Sequence, residues 1–146
     1  MSRDVAVRLA QRFVAALNGE DEDYDTLVAA RYVEHAMAPF GTSEPGLVDG
    51  PAHVADVVAT LRAQYPDLRV SLEDVVFDGD RLAVRVHSEG SHLGPIRGIP
   101  PTGRRFASRQ SHWFKVEHEL VVEHWATRDD LTAMLQLGLV APAAPA

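Results

Sequence analysis

Apolar residues recur at every fourth position near the start of the chain. This spacing runs from Val5 to Leu17 within RDVAVRLAQRFVAALN, residues 3–18, and it predicts an amphipathic helix with one apolar stripe. Ser2 can cap the beginning of this helix, and Gly19 marks its end. The chain therefore opens with a helix that needs an apolar surface to pack against.

Two further helices are predicted in the first half of the chain. A second, shorter helix is expected over residues 24–34, and a Pro- and Gly-rich loop, residues 39–50, follows it. Pro51 suits the first position of a third helix, whose apolar positions begin at Val54. The segment Tyr65-Pro66-Asp67 ends that helix.

The second half of the chain changes to the two-residue period of β-strands. Four strands are predicted, over residues 68–77, 81–89, 105–117 and 120–128. Turns at Asp78-Gly79-Asp80 and His118-Glu119 join them in pairs, and a long loop rich in glycine and proline separates the pairs. A last short helix is expected to begin at Asp129 or Asp130 and to end at Gly138.

This order of elements predicts an α+β fold, because helices and antiparallel strands occupy separate parts of the chain. A curved antiparallel sheet wrapped around the N-terminal helices makes a cone with an apolar interior, which is a natural pocket for a small molecule. We expect one domain over residues 1–140 and a disordered tail over residues 141–146.

Composition and charge narrow the classes of function. The net charge is -7, from 14 Lys and Arg against 21 Asp and Glu, so a nucleic-acid partner is not expected. The chain has no cysteine, which excludes disulfides, thiolate nucleophiles and cysteine-bound metals. The N-terminus lacks the apolar core of a signal peptide, and no run reaches the roughly 18 apolar residues of a membrane span. We therefore expect a cytoplasmic protein that does not bind membranes.

Several short motifs, in this order and spacing, resemble the SnoaL-like polyketide cyclase family of the NTF2-like superfamily. The motifs are Tyr65-Pro66-Asp67-Leu68, Asp78-Gly79-Asp80, Gly90-Ser91-His92-Leu93-Gly94, Gly98-Ile99-Pro100-Pro101-Thr102-Gly103-Arg104, Glu123-His124-Trp125 and Gln136-Leu137-Gly138. The resemblance implies the cone fold and a cofactor-free reaction of natural-product biosynthesis, in which an aldol condensation closes a ring of a polyketide ester. The superfamily also contains proteins that only bind ligands.

The resemblance also implies site residues. The general acid/base of the family is an aspartate on the strand of the Glu-His-Trp motif, and a histidine on the neighbouring strand faces it. The histidine matches His112, whereas the position of the aspartate is Ala126. Other side chains would therefore have to move the proton in this protein.

Strand alternation indicates which side chains these are. On β-strands joined at His118-Glu119, His112 and His124 share the interior face, roughly 5 Å apart if directly opposite or about 8 Å apart on a diagonal. Histidine titrates near neutral pH, so the pair can supply a base and an acid. We expect His112 to be catalytic, assisted by His124 or by Asp129 at the mouth of the cone. Buried, hydrogen-bonded core histidines and an Asp129 helix cap are the alternatives.

Further side chains are candidates for substrate contact. Gln110, Phe114 and Val122 are expected on the same interior face, His35 near the pocket opening and Phe40 in its lining. Arg85 could anchor a substrate carboxylate or enolate, or be an exposed residue of the sheet. His92 could contact the substrate or only order its glycine-rich loop.

Three functions stay open at this point. The first is a cofactor-independent cyclase or isomerase of an apolar, carbonyl-bearing natural product. The second is a non-catalytic binding protein with the same cone, and the third is an epoxide-opening cyclase or hydrolase. The sequence has no HExxH, nucleotide-binding or GxSxG motif, so neither a zinc site nor a bound nucleotide is expected. The open outer face of the sheet predicts a homodimer.

Overall fold

A computed structural model describes residues 1–37 and 45–145 of the protein. Its helices are α1 (Arg3–Leu17), α2 (Gly50–Gln64) and α3 (Asp130–Gln136), with a 3₁₀ turn at Tyr24–Thr26. Its strands are β1 (Val28–Glu34), β2 (Gly46–Asp49), β3 (Arg69–Asp78), β4 (Arg81–Ser91), β5 (Arg105–Glu117) and β6 (Leu120–Arg128).

The six strands form one sheet in the order β2-β1-β6-β5-β4-β3. Neighbouring strands are antiparallel except β1 and β6, which pair in parallel. The sheet curves around α1 and α2, so the α+β cone expected from the sequence is confirmed. In the described ranges, no helix has the length and apolar character that crossing a membrane requires.

The prediction of a helix over residues 24–34 is wrong. Only Tyr24–Thr26 form a single 3₁₀ turn, and the rest of the segment is strand β1. Tyr32 and Glu34 are buried on one face of this strand. Its partner β6 lies far along the chain, so long-range pairing overrides the local helical preference of the sequence Val-Ala-Ala-Arg.

The core lies between α1 and the concave face of the sheet. Ala6, Leu9 and Ala10 of α1 are buried, and they face buried residues of the long central strands such as Val86. The end of α1 is fastened to β3 through Asn18, because its amide nitrogen donates to the Val70 carbonyl at 2.9 Å and its Oδ1 accepts from the Val70 amide at 2.8 Å.

The beginning of α2 lies unusually close to β1. A Cβ atom at Gly50 would stand 2.1 Å from the carbonyl oxygen of Ala29, so only glycine fits there. Asp49 caps the helix by accepting a hydrogen bond from the Ala52 amide at 3.2 Å. This close approach brings His53, in the first turn of α2, against the buried face of β1.

Candidate active site

A cavity of about 70 Å³ opens between the two long helices and the concave face of the sheet. Most of its wall is apolar. Four lining side chains carry polar groups that can take part in chemistry, and we call them the polar end of the cavity: Tyr32, Glu34, His53 and His124. An apolar chamber with a few convergent polar groups is typical of a site for a small organic molecule.

A continuous line of hydrogen bonds runs from the polar end into the sheet. The Nδ1 atom of His124 lies 2.9 and 3.0 Å from the two carboxylate oxygens of Glu34. The Nε2 atom of His124 lies 2.9 Å from Nδ1 of His112, whose own Nε2 lies 3.0 Å from Oε1 of Gln110. The two histidine rings therefore lie side by side on one face, as strand alternation predicted.

The register of β5 and β6 explains this contact and corrects the expectation of which valine of β6 faces the cavity. His112 is paired with Ala126, and Phe114 is paired with His124, so the two histidines are diagonal neighbours. A register shift after Lys115 changes the alternation of β6 near the hairpin. Val121 therefore lines the cavity, in place of Val122, which the sequence analysis had expected to face the interior.

Glu34 is the anionic centre of the polar end. Burial alone would raise the pKa of its carboxyl group, but hydrogen bonds from His124, His53 and the Ala36 amide outweigh burial and lower this pKa to about 2. Glu34 was missed in the sequence analysis because its strand was interpreted as a helix. The alternation of Tyr32 and Glu34 immediately before His35 was the available signal.

The hydrogen-bond directions assign the protons of the two sheet histidines. Burial, and then the positive charges of His124 and Arg128, hold the pKa of His112 well below its usual value of 6.5, so His112 is neutral. The Gln110 carbonyl accepts from His112 Nε2–H, which leaves His112 Nδ1 as an acceptor. In this arrangement His124 is the hydrogen-bond donor to His112, and its other ring nitrogen faces the Glu34 carboxylate.

Aromatic rings enclose this line of side chains. The ring of Phe13 on α1 lies 4.8 Å from the His112 ring and 5.0 Å from the Phe114 ring, centroid to centroid. The Phe114 ring stacks on His124 at 5.1 Å. Gln110 and Phe114, two residues expected at the site, therefore do contact its histidines. The low local polarity strengthens each hydrogen bond in the line.

Asp129 lies outside the cavity, so its expected position at the mouth of the cone is corrected. Its two carboxylate oxygens accept from the amide and the hydroxyl of Thr132, at 3.1 and 2.6 Å. These bonds lower the pKa of the exposed Asp129 carboxyl group and cap α3, which is the alternative that the sequence analysis kept. A strong local capping bond thus fixes the side chain away from the pocket.

Two other expected contacts lie on the convex face of the sheet. Arg85 is exposed there, 3.7 Å from Glu73. His35 follows β1, where its ring stacks on Trp125 at 4.4 Å and its Nε2 lies 2.8 Å from Glu123. Strand alternation explains the position of His35, because its partners Glu123 and Trp125 flank the inward-facing His124 and therefore point to the opposite face.

His92, the next candidate, is not among the residues that line the cavity. His92 is fully buried and orders the loop after β4, because its Nδ1 accepts from the Thr102 amide at 3.2 Å and lies 3.0 Å from the Thr102 hydroxyl. Phe40 lies outside the described residues. In residues 1–37 and 45–145, no group of three or more His, Cys, Asp or Glu side chains is arranged to hold a metal ion.

Comparison with known proteins identifies the family of this chain. The family model of SnoaL-like polyketide cyclases matches residues 7–137. The nogalonic acid methyl ester cyclase of Streptomyces nogalater is 30% identical over 128 residues, covering 86% of this chain and 91% of that protein, and the aklanonic acid methyl ester cyclase DnrD of Streptomyces peucetius is 26% identical over 90% of each chain. The solved structure of TsrD from Streptomyces laurentii superposes with a TM-score of 0.81 at 29% identity, covering 96% of this chain and 99% of that one. The chain therefore belongs to the SnoaL-like polyketide cyclase family.

Proposed function

We propose that this protein is a cofactor-independent cyclase that closes a ring of a polyketide ester by histidine-centred acid/base catalysis. The observation that carries the proposal is the histidine cluster around Glu34, at the polar end of an apolar cavity. His53 and His124 are hydrogen-bonded to the buried Glu34 carboxylate, and His112 is hydrogen-bonded to His124. The similarity to cyclases of nogalonic and aklanonic acid methyl esters supports an ester of this class as the substrate.

The reaction needs one proton removed and one proton returned. A base takes a proton from a carbon next to a carbonyl group, and the electrons of the C–H bond form an enolate. The enolate carbon then attacks a second carbonyl carbon, the new C–C bond closes the ring, and the resulting alkoxide takes up a proton. The balance requires no oxidant or reductant, so ionisable side chains and a water-excluding pocket suffice.

The electrostatics of the cluster suit this cycle. The ionised Glu34 carboxylate accepts hydrogen bonds from His124 and His53, and the neutral His112 lies beside this group. A buried carboxylate fixes the tautomer and orientation of the imidazoles bonded to it, as it does in hydrolase triads. His112 and His124 are then the candidate catalytic residues from the sequence that remain at the site, and Ala126 beside His112 adds no acid of its own.

The same geometry bears on the two alternative functions, a binding protein and an epoxide-opening enzyme. A binding protein would use the apolar cavity without turnover, and it is favoured by the fact that all four ring nitrogens of His112 and His124 already have protein partners. Epoxide opening would need a free carboxylate at the cavity. Glu34 is the acidic residue that lines it, and hydrogen bonds occupy both of its oxygens.

Ring closure of nogalonic and aklanonic acid methyl esters, followed by liquid chromatography and mass spectrometry, tests the proposal. We expect the protein to accelerate closure of at least one ester, and we expect Glu34→Gln to lower kcat by about 10²–10⁴-fold, the usual worth of acid/base catalysis. Glu73→Gln, on the convex face, is the matched control and should leave kcat unchanged. An intact protein that binds both esters and closes neither is a binding protein.

A further inference from the structure

The polar end of the cavity contains two groups that the hydrogen-bond line does not use. One is the Nδ1 atom of His53, and the other is the hydroxyl group of Tyr32. Both residues line the cavity, and their rings lie 6.0 Å apart, centroid to centroid. Neither residue is a candidate on sequence grounds alone.

Among the described residues, His53 is the histidine of the cluster with a ring nitrogen that bonds to no other group. His124 is bonded through both ring nitrogens, to Glu34 and to His112, and His112 is bonded through both of its own. His53 is bonded through Nε2, which lies 3.1 Å from a Glu34 oxygen. Within the described residues its Nδ1 has no hydrogen-bond partner, so a substrate can approach this nitrogen without displacing a protein group.

Glu34 also gives His53 the tautomer that a base requires. The carboxylate accepts only, so Nε2 of His53 carries the proton and Nδ1 presents a lone pair. When Nδ1 takes up a proton, the imidazolium that forms stays bonded to the carboxylate, which stabilises its charge. The His53 side chain is 22% exposed, so the ring can exchange protons with solvent between turnovers, whereas His112 is enclosed.

Tyr32 supplies a hydrogen-bond donor next to this base. Its side chain is 3% exposed, and its hydroxyl donates no hydrogen bond to any described residue. Tyr32 is one of the residues that line the cavity, so its side chain borders open space. Burial, followed by the charge of Glu34, raises the pKa of Tyr32, which keeps the phenol protonated as a donor.

We propose that His53 Nδ1 takes the proton from the substrate carbon, while the Tyr32 hydroxyl holds the oxygen on which the enolate charge develops. This inference rests on the proposed cyclase function and identifies the groups that touch the substrate. The C–H bond breaks, its proton moves to Nδ1, and its electrons move to the oxygen beside Tyr32. After the C–C bond forms, the His53 imidazolium returns the proton to the alkoxide. His124 is then a positioning residue that helps to hold Glu34 in its charged form, and His112 orients His124.

Kinetics of matched histidine variants test the assignment. We expect His53→Gln, whose amide can still donate to Glu34, to lower kcat for ring closure by about 10²–10⁴-fold. Glu73→Gln, on the convex face, is the matched control and should leave kcat unchanged, whereas His112→Gln, which acts only through His124, should lower kcat less than His53→Gln does. If His112→Gln abolishes closure and His53→Gln retains it, the assignment is overturned while the cyclase function stands. Circular dichroism checks that both variants fold.

Tyr32→Phe gives an independent test of the donor. The variant should lower kcat by about 10²–10³-fold, as the loss of one donor to a developing oxyanion does. The free energy of unfolding should stay equal or rise, because the hydroxyl makes no hydrogen bond to any described residue. A variant that is less stable than the parent and equally active overturns the role of Tyr32.

A binding measurement decides the His53 contact even if no ester is turned over. The probe is dimedone, a cyclic β-diketone whose enolate resembles the intermediate, titrated into protein labelled with ¹⁵N-histidine. We expect the His53 nitrogens to start as the Nε2–H tautomer and Nδ1 to show the largest shift on binding. Larger shifts at His112 or His124, or an unmoved His53 up to the solubility limit of dimedone, overturn the contact.

Discussion

Glu34→Gln should remove a pH-dependent part of the stability of this protein. The folded pKa of the Glu34 carboxyl group is about 2, against an ordinary value of 4.5. At about 1.4 kcal/mol for each pH unit, this difference corresponds to about 3 kcal/mol. The Glu34 side chain is only 10% exposed, so solvent screens this contribution little.

The sign of the effect follows from proton linkage. A carboxyl group whose pKa is lowered by folding stabilises the folded state above its unfolded pKa, and the contribution disappears as the pH falls through the folded pKa. The free energy of unfolding of the parent protein should therefore drop by about 3 kcal/mol more than that of Glu34→Gln between about pH 5 and about pH 2.

Urea unfolding at a series of pH values, followed by circular dichroism, measures this difference. Glu73→Gln is again the control, because it makes the same chemical change on the convex face and should follow the parent curve. Parallel curves for the parent and Glu34→Gln over this pH range would show that Glu34 is not held in its charged form by the two histidines, and the electrostatic account of the site would fail.

Three further predictions concern other parts of the fold. His112→Asn should lose less stability than the parent protein as the pH falls from about 7 to about 5. The reason is that a histidine whose pKa is lowered by folding destabilises the folded state below its unfolded pKa. Equal losses of the free energy of unfolding in urea would contradict this. Gly50→Ala should cost about 1–3 kcal/mol through the clash with the Ala29 carbonyl, whereas Gly46→Ala, where a Cβ meets nothing within 4 Å, should cost far less. The homodimer stays a prediction. Trp113 is 51% exposed on the convex face, so we expect the parent protein to sediment as a dimer and Trp113→Glu as a monomer. A monomeric parent protein would refute the prediction.

Local signals predicted much of the fold. The residue ranges of β5 and β6 agree with the predicted 105–117 and 120–128, because a strict two-residue period and a tight turn at His118-Glu119 specify a hairpin without reference to the rest of the chain. The Ser2 cap of α1 is confirmed for the same reason, since its hydroxyl accepts from the Val5 amide three residues later.

Long-range pairing accounts for what the sequence did not reveal. β1 gains its strand structure from β6, and the Glu34–His124 contact joins residues 90 positions apart. The alternation of Tyr32 and Glu34 is a weak signal in a segment with helical preference, and no local pattern marks His53 as the partner of Glu34. The centre of the site therefore went unrecognised while two of its histidines were found. Asp129 shows the reverse case, in which a local capping signal was sound and the functional interpretation was not.

Loss of deuterium from the acidic carbon of a polyketide ester tests the central claim most directly. The ester of nogalonic or aklanonic acid is labelled at the carbon next to its carbonyl groups and incubated in ordinary water, and mass spectrometry follows the label. We predict that the protein removes the label faster than buffer and that Glu34→Gln slows this step by about 10²-fold or more, while Glu73→Gln does not. Removal at the same rate in Glu34→Gln and in the parent protein would contradict the claim that the histidine cluster around Glu34 moves the proton.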